Sequence, residues 1–142
     1  MKSGARDVAW LTMPKIAEAI ADAERVLARN TKHDDGVDPR WQAIIRVAEF
    51  IPDEVDLVWA FAEKWGGVCD PDLQAAVATC LLEHLMEHHF DYIFPMVAVQ
   101  AKRDAIFAST LRRCWKFGQA ERTESSAALD ELLNELGRPN SG

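Results

Sequence analysis

Long hydrophobic runs, cysteines and positive charge are all scarce in this sequence. No apolar run approaches the ~18 residues that a membrane span requires. No apolar segment follows residues 1–7 in the way that a secretion signal requires. Only three cysteines occur, at the widely spaced positions Cys69, Cys80 and Cys114. An odd, sparse set does not make a disulfide framework, so the sequence predicts a protein of the reducing cytoplasm.

Basic residues are in the minority, with 16 Lys and Arg against 23 Asp and Glu and a net charge of −7. Nonspecific nucleic-acid binding needs a basic face to neutralise phosphates, so this balance argues against nucleic acid as the main partner. The charge is uneven, because residues 30–72 hold ten acids and four bases whereas residues 102–122 hold two acids and six bases. A partner could therefore meet an acidic region on one side and a basic region on the other.

One short phrase of sequence occurs twice. Residues 38–43, Asp-Pro-Arg-Trp-Gln-Ala, return 32 residues later as Asp-Pro-Asp-Leu-Gln-Ala at 70–75. A repeat of about this length is typical of stacked helical hairpins. Asp followed by Pro also favours a helix start, because Asp caps free N–H groups and Pro lacks an N–H that would be unpaired there.

Apolar residues recur at helical spacing along the chain, and no segment alternates with the period of a strand. We therefore predict one all-α domain of about seven helices. The expected elements are an N-terminal helix 12–29 capped by Thr12, repeat-like units 38–67, 70–102 and 104–118, and a C-terminal capping helix 124–136. Asp38, Asp53 and Asp70 are expected caps, and Asp104 is expected to start the third unit. Pro95 is tolerated only in a first turn, which predicts a helix boundary near 89–91.

Two expected apolar stripes include residues with reactive or aromatic side chains. One stripe follows Asp70 and contains Leu73, Val77, Cys80, Leu81, His84 and Leu85. The other belongs to the third unit and contains Phe107, Leu111, Cys114 and Trp115. On this reading the two cysteines pack as small hydrophobes, since a nucleophilic thiol needs a base and an exposed cleft.

The two Asp-Pro-x-x-Gln-Ala openings, each followed by a second helix, resemble HEAT-type repeats over about residues 38–118. The resemblance implies a short right-handed α-solenoid, whose concave face usually binds a partner. It departs at Gln42 and Gln74, where HEAT units commonly have a basic residue. Residues 78–91 (ATCLLEHLMEHHFD) and 114–119 (CWKFGQ) are also similar to a set of small bacterial HEAT-like proteins of unknown function.

The first functional hypothesis is a non-enzymatic protein-protein interaction module, with an immunity or inhibitor protein that binds a basic toxin as its specific form. Tryptophans often dominate binding energy, so Trp41, Trp59 and Trp65 are candidate contacts where they are exposed. Acidic residues could form a negative rim that steers a basic partner. These residues are Asp34, Asp35, Glu54, Asp56 and Asp72. The alternative for them is a solvated surface, and the sequence indicates no oligomeric state.

The second hypothesis is a zinc-binding protein or metalloenzyme that uses His84, Glu87 and His88. Histidines four residues apart on a helix can converge on one metal, and His-x-x-Glu-His matches an inverted zinc-protease motif. Such an enzyme needs a distant third ligand, and the sequence identifies none. The alternatives are a pH-sensitive histidine patch and an ordinary helix on which His84 is partly buried while Glu83, Glu87 and His89 face water.

The third hypothesis concerns the basic segment near the C-terminal end. A cluster of positive side chains there could grip a DNA backbone, as HEAT-like folds can, or could bind an acidic partner. Its residues are Lys102, Arg103, Arg112, Arg113 and Lys116. Against DNA stand the acidic chain and the lack of interleaved aromatic residues for base stacking. A solvated surface is the alternative.

Overall fold

A computed structural model describes residues 4–29 and 38–137, with only the backbone for residues 4–14. The described residues form helices and no strands, which confirms the predicted all-α class. The segments are α1 Gly4–Arg29, α2 Pro39–Ala48, α3 Val55–Trp65, α4 Pro71–Val77, a π turn Ala78–Leu82, α5 Glu83–Arg103, α6 Ala105–Leu111, a 3₁₀ turn Gly118–Glu121 and α7 Thr123–Gly137. No helix in this part of the chain is long and apolar enough to cross a membrane.

The segments α4, the π turn and α5 follow one another directly and form a single long helix, residues 71–103. The described residues therefore contain six helices, where the sequence predicted about seven. The long helix bends at His89, whose φ of −137° and ψ of 38° are not helical. This bend lies within the boundary predicted near 89–91. Pro95 follows six residues later, inside the helix rather than in its first turn.

Aspartate caps fix where three of the helices begin. The Oδ1 atoms of Asp38, Asp70 and Asp104 accept hydrogen bonds from the backbone N–H groups two residues ahead, at 2.8, 3.1 and 2.9 Å. These contacts satisfy N–H groups that have no partner within the helix, which confirms the three predicted helix starts. The prediction for Asp53 is wrong, because α3 is preceded by Glu54, whose side chain makes no capping bond.

The N-terminal helix is longer than predicted. It begins at Gly4, so Thr12 lies inside α1 and does not cap it, and Pro14 is also within the helix. The expected loop at residues 30–37 lies outside the described residues.

The helices pack in an order that follows the repeat. The first helix of each repeat-like unit lies beside the next, with α2 against α4 and α4 against α6. Helix α3 packs on α4 and on the long helix, α1 packs on α2, and α7 contacts α5. Buried apolar side chains such as Ile44, Leu81 and Phe107 form one cluster through these layers. Burying this surface is the main stabilising term of such a fold.

The two copies of the repeated phrase bind each other. Arg40 is only 2% exposed and donates to Asp70 at 3.0 Å and to Asp72 at 2.6 Å. Arg40 and Asp72 are the third residues of the two copies. The two copies carry opposite charges at this position, and these two side chains form an ion pair that joins the copies. The Trp41 Nε1 atom lies 3.3 Å from Asp72, and Gln74 donates to the Ile106 carbonyl at 3.2 Å in the next unit. We call the Arg40, Trp41, Asp70 and Asp72 group the repeat junction.

Candidate functional site

The π turn at Ala78–Leu82 sets which side chains of the following helix face water. The Glu83 N–H bonds the Ala78 carbonyl five residues back, so this turn holds one residue more than an α-turn. The extra residue rotates the faces of the helix beyond it. As a result Glu83 is only 5% exposed and His84 is exposed, the reverse of both predicted positions. Such π turns are frequent at functional sites.

Residues 114–119, which follow α6 and run into the 3₁₀ turn, contact the π turn and the helix that follows it. The Trp115 N–H donates to Glu83 Oε2 at 2.9 Å. The Cys114 thiol lies 3.7 Å from the Ala78 carbonyl, at the start of the π turn. Residues 78–91 and residues 114–119 are therefore in contact with each other.

The same segment is also anchored at the bend of the long helix. The Phe90 N–H, next to the bend at His89, donates to Gln119 Oε1 at 2.8 Å. Gly118 has a φ of +52° and approaches Glu87 closely. A Cβ on Gly118 would lie 2.6 Å from Glu87 Cγ and 2.9 Å from the Glu87 carbonyl oxygen. Glycine is required here on both counts, since a left-handed backbone and a close contact each disfavour a side chain.

Two large aromatic side chains on this anchored segment face water. Trp115 is 74% exposed, more than any other large apolar side chain that the structure describes, and Phe117 is 44% exposed. The intervening Lys116 reaches α7, with its Nζ atom 2.7 Å from Ser126 Oγ and 2.6 Å from Asp130 Oδ1. We call residues 114–119, with Trp115 and Phe117 outward, the aromatic loop.

The expected place of Trp115 in an apolar helical stripe is wrong. The helix α6 ends at Leu111, and the backbone at Phe117 is extended, with φ −137° and ψ 154°. The sequence missed the exposed aromatic residues because no glycine or proline between Leu111 and Gly118 signals the end of the helix. Gly118 is the one local signal, and it comes after the loop rather than before it.

The predicted metal ligands come together one turn beyond the π turn. His84 Nδ1 lies 3.0 Å from Glu87 Oε1, and His88 Nε2 lies 3.4 Å from the same oxygen. One ligand atom from each of the three residues lies within 4.8 Å of the others. Both histidines are exposed and Glu87 is half-buried under Gly118. We call these three residues the histidine cluster. His89 is half-buried at the bend and is not part of it.

Burial controls the protonation of the groups beneath the aromatic loop. Burial raises the pKa of Glu83, and the hydrogen bond from Trp115 N–H partly offsets this. Burial and the nearby Glu83 charge raise the pKa of Cys80 to about 11 and that of Cys114 still further. Both thiols are therefore protonated at neutral pH and poor nucleophiles, in agreement with their interpretation as packing residues.

The three tryptophans predicted as partner contacts lie largely within the fold. Trp59 is buried, with its ring edge-on to Phe107 at 5.8 Å between centroids. Trp41 is half-buried in the repeat junction. Trp65 is half-buried too, with Nε1 3.4 Å from Glu24. The sequence proposed these tryptophans as partner contacts only where they are exposed. Trp59 is buried and is therefore no longer a candidate contact.

The predicted acidic rim is divided among separate roles. Asp72 binds Arg40 in the repeat junction, and Asp56 accepts a hydrogen bond from Tyr92 at 2.6 Å. Glu54 is half-buried before α3, and Asp34 and Asp35 lie outside the described residues. The charge of Arg40 thus offsets that of Asp72, whereas the partner of Asp56 is a neutral phenol.

Each predicted basic residue also has a partner within the chain. The pairs are Lys102 with Glu135 at 3.7 Å, Lys116 with Asp130 at 2.6 Å, Arg103 with Gln100 at 3.1 Å, Arg112 with the Leu133 carbonyl at 3.4 Å and Arg113 with Gln74 at 3.4 Å. The carboxylates of Glu135 and Asp130 offset the charges of Lys102 and Lys116, whereas the three arginines contact neutral groups.

Trp115 and Phe117 of the aromatic loop and both histidines of the histidine cluster are exposed to solvent. A shallow cavity of about 490 Å³ lies beside the bend, lined by Phe90, Asp91, Arg122 and the first turn of α7, and it includes neither group. Comparisons of the chain with family models, with curated proteins and with solved structures give no match. A functional assignment therefore depends on the contacts described above.

Proposed function

We propose that this protein is a protein-protein interaction module whose main contact surface is the aromatic loop. The observation that carries the proposal is the 74% exposure of Trp115 on a backbone fixed by Glu83 and Gln119. An exposed tryptophan gains a large apolar burial when a partner covers it, and such residues are frequent hot spots. This surface replaces the three tryptophans that the sequence favoured.

The anchored backbone makes the loop a suitable binding element. Association is costly when loops must become ordered, and a preformed backbone lowers that cost. The loop is held to the long helix through Trp115 and Gln119 and to α7 through Lys116. Trp115 and Phe117 would then enter an apolar pocket of the partner as a fixed pair.

Charge and architecture support a protein partner. The net charge of −7 attracts a basic partner over about 10 Å at moderate salt. The side-by-side order of α2, α4 and α6 suits a short HEAT-like stack, which is an architecture that binds other macromolecules. An immunity or inhibitor protein that binds a basic toxin is the specific form of this proposal.

The experiment is affinity capture of the tagged protein from native host cells at low salt with nuclease added, followed by mass spectrometry. Wild type is compared with a Trp115→Ala/Phe117→Ala double variant. Ile45→Ala is the control, because Ile45 is an apolar residue that is 40% exposed and lies on another element, α2. The partner found is then purified, and its dissociation constant is measured for all three proteins.

One near-stoichiometric protein should be retained by wild type and Ile45→Ala and lost with the double variant. Removal of two hot-spot aromatic residues should weaken binding at least about 30-fold. Equal retention by all three proteins would contradict the aromatic loop as the contact surface. Capture of no protein at any salt concentration would contradict the interaction-module proposal itself.

A further inference from the structure

We propose that the histidine cluster binds one zinc ion through His84, Glu87 and His88. This inference goes beyond the proposed function, because it concerns a ligand of the isolated chain and needs no partner. The inference is based on the positions of the three side chains next to the aromatic loop, and it is tested on the purified protein alone.

One ligand atom from each of the three side chains lies within 4.8 Å of the other two. Glu87 Oε1 lies 3.0 Å from His84 Nδ1 and 3.4 Å from His88 Nε2. Zinc ligands lie about 2.0–2.2 Å from the ion, which puts two of them roughly 3.3 Å apart in a tetrahedral site. Both separations from Glu87 are close to that value, and the two histidine nitrogens lie within 4.8 Å of each other, so side-chain rotations can admit an ion.

The surroundings of Glu87 hold its side chain in place. Gly118 approaches the Glu87 Cγ and carbonyl so closely that no Cβ fits between them. The aromatic loop thus closes one side of the cluster and restricts the carboxylate. The spacing of the three residues along the helix brings them together, and His84 and His88 on this helix face are exposed to solvent.

The donor set selects the class of metal. Two imidazoles and one carboxylate suit zinc and other late first-row divalent ions, whereas calcium and magnesium require mostly oxygen ligands. Three protein ligands leave one position of a tetrahedral ion open to water or to a side chain of another molecule. The site is therefore an exposed three-ligand site, unlike the closed four-ligand site of a zinc finger.

Isothermal titration with Zn²⁺, on full-length protein whose tag has been removed and whose cysteines are kept reduced, tests the site. Wild type is compared with His84→Ala, Glu87→Gln and His88→Ala. His89→Ala is the matched control, because His89 lies on the same helix but outside the cluster. Cys69→Ser controls for adventitious binding by the exposed thiol. Circular dichroism of each variant checks that the fold is retained.

The expected result is one zinc per chain, with affinity reduced at least about 10- to 100-fold by each cluster variant and unchanged by both controls. Gly118→Ala, which moves Glu87 without removing a ligand, should weaken binding about tenfold. No zinc binding by wild type, binding unaffected by the cluster variants, or an equal loss with His89→Ala would each overturn the proposal. None of these outcomes bears on partner capture through Trp115 and Phe117, so the two proposals fail separately.

Discussion

The repeat junction and the aromatic loop both rest on buried polar contacts, yet they leave very different surfaces behind. At the junction, Arg40 is enclosed and its charge is met by Asp70 and Asp72. Under the loop, buried Glu83 accepts a backbone N–H from Trp115, and the aromatic side chain itself points into water. In the repeat junction the charged side chains bind each other. In the aromatic loop the buried Glu83 carboxylate binds the backbone of Trp115, whose side chain is exposed. We infer that the first region serves stability and the second serves recognition.

Of the two regions, the repeat junction has the larger expected effect on stability. Arg40→Ala removes a buried guanidinium and leaves two carboxylates facing each other, so we expect a loss of about 3 kcal/mol in the free energy of unfolding. Arg46→Ala is the control, because Arg46 makes only an exposed pair with Asp22 at 3.5 Å and should lose less than about 1 kcal/mol. Urea titration measures both variants. Equal losses would remove the distinction between a structural junction and an ordinary surface pair.

A smaller loss of stability is expected where the loop meets the long helix. Gly118→Ala must adopt a φ of +52° against Glu87, so we expect a cost of about 2 kcal/mol. Gly137→Ala is the matched control, since a Cβ there would meet only the Arg112 side chain at 3.8 Å or more. Thermal unfolding compares the two variants. A Gly118→Ala protein as stable as Gly137→Ala would show that the loop is not held against the helix as described.

The pH dependence of stability should report the ion pair of Asp70 in the repeat junction. Burial alone would raise the pKa of Asp70, but the hydrogen bonds from Leu73 N–H and Arg40, with the Arg40 charge, together lower it below 3.8. A carboxylate with a lowered pKa adds stability above its unfolded value, and that stability is lost as the pH falls through the lower folded value.

Asp70→Asn keeps a capping side chain but removes this charge. It should cost about 1 kcal/mol at neutral pH, with the difference from wild type shrinking as the pH falls below 3.8. Asp104→Asn, a cap of the same kind on α6, is the control for loss of the capping carboxylate alone. Urea unfolding at a series of pH values measures the effect. A difference that stays constant down to acid pH would contradict an ion-paired Asp70.

The contrast between the regions also explains what the sequence could predict. Asp38, Asp70 and Asp104 cap helices through N–H groups two residues away, so the local sequence was sufficient to locate these helix starts. The exposure of His84 and Trp115 depends on the π turn and on contacts between residues 30 or more positions apart, such as Trp115 with Glu83. Helical periodicity cannot register an inserted residue, so the stripe wrongly included His84, although its members Leu81 and Leu85 are buried as predicted.

The histidine cluster could be predicted from the sequence because its residues, like the helix caps, are close together along the chain. His84, Glu87 and His88 are three and four residues apart, and that spacing survives on any helix beyond the π turn. The spacing was therefore enough to bring the three side chains together. It could not reveal that Gly118 closes over Glu87, because that contact joins segments far apart in the sequence.

The smallest expected change in stability comes from the residues assigned to recognition. Trp115→Ala/Phe117→Ala removes two exposed rings while the backbone contacts of the loop are kept, so the free energy of unfolding should change by less than about 0.5 kcal/mol. Trp59→Ala, at a buried tryptophan, should by contrast cost about 3–5 kcal/mol.

The most direct test measures the unfolding free energy and the partner affinity of the Trp115→Ala/Phe117→Ala variant side by side. The account predicts stability within about 0.5 kcal/mol of wild type together with at least about a 30-fold loss of partner affinity. A large loss of stability with unchanged partner affinity would contradict it, because the aromatic loop would then belong to the core rather than to the contact surface.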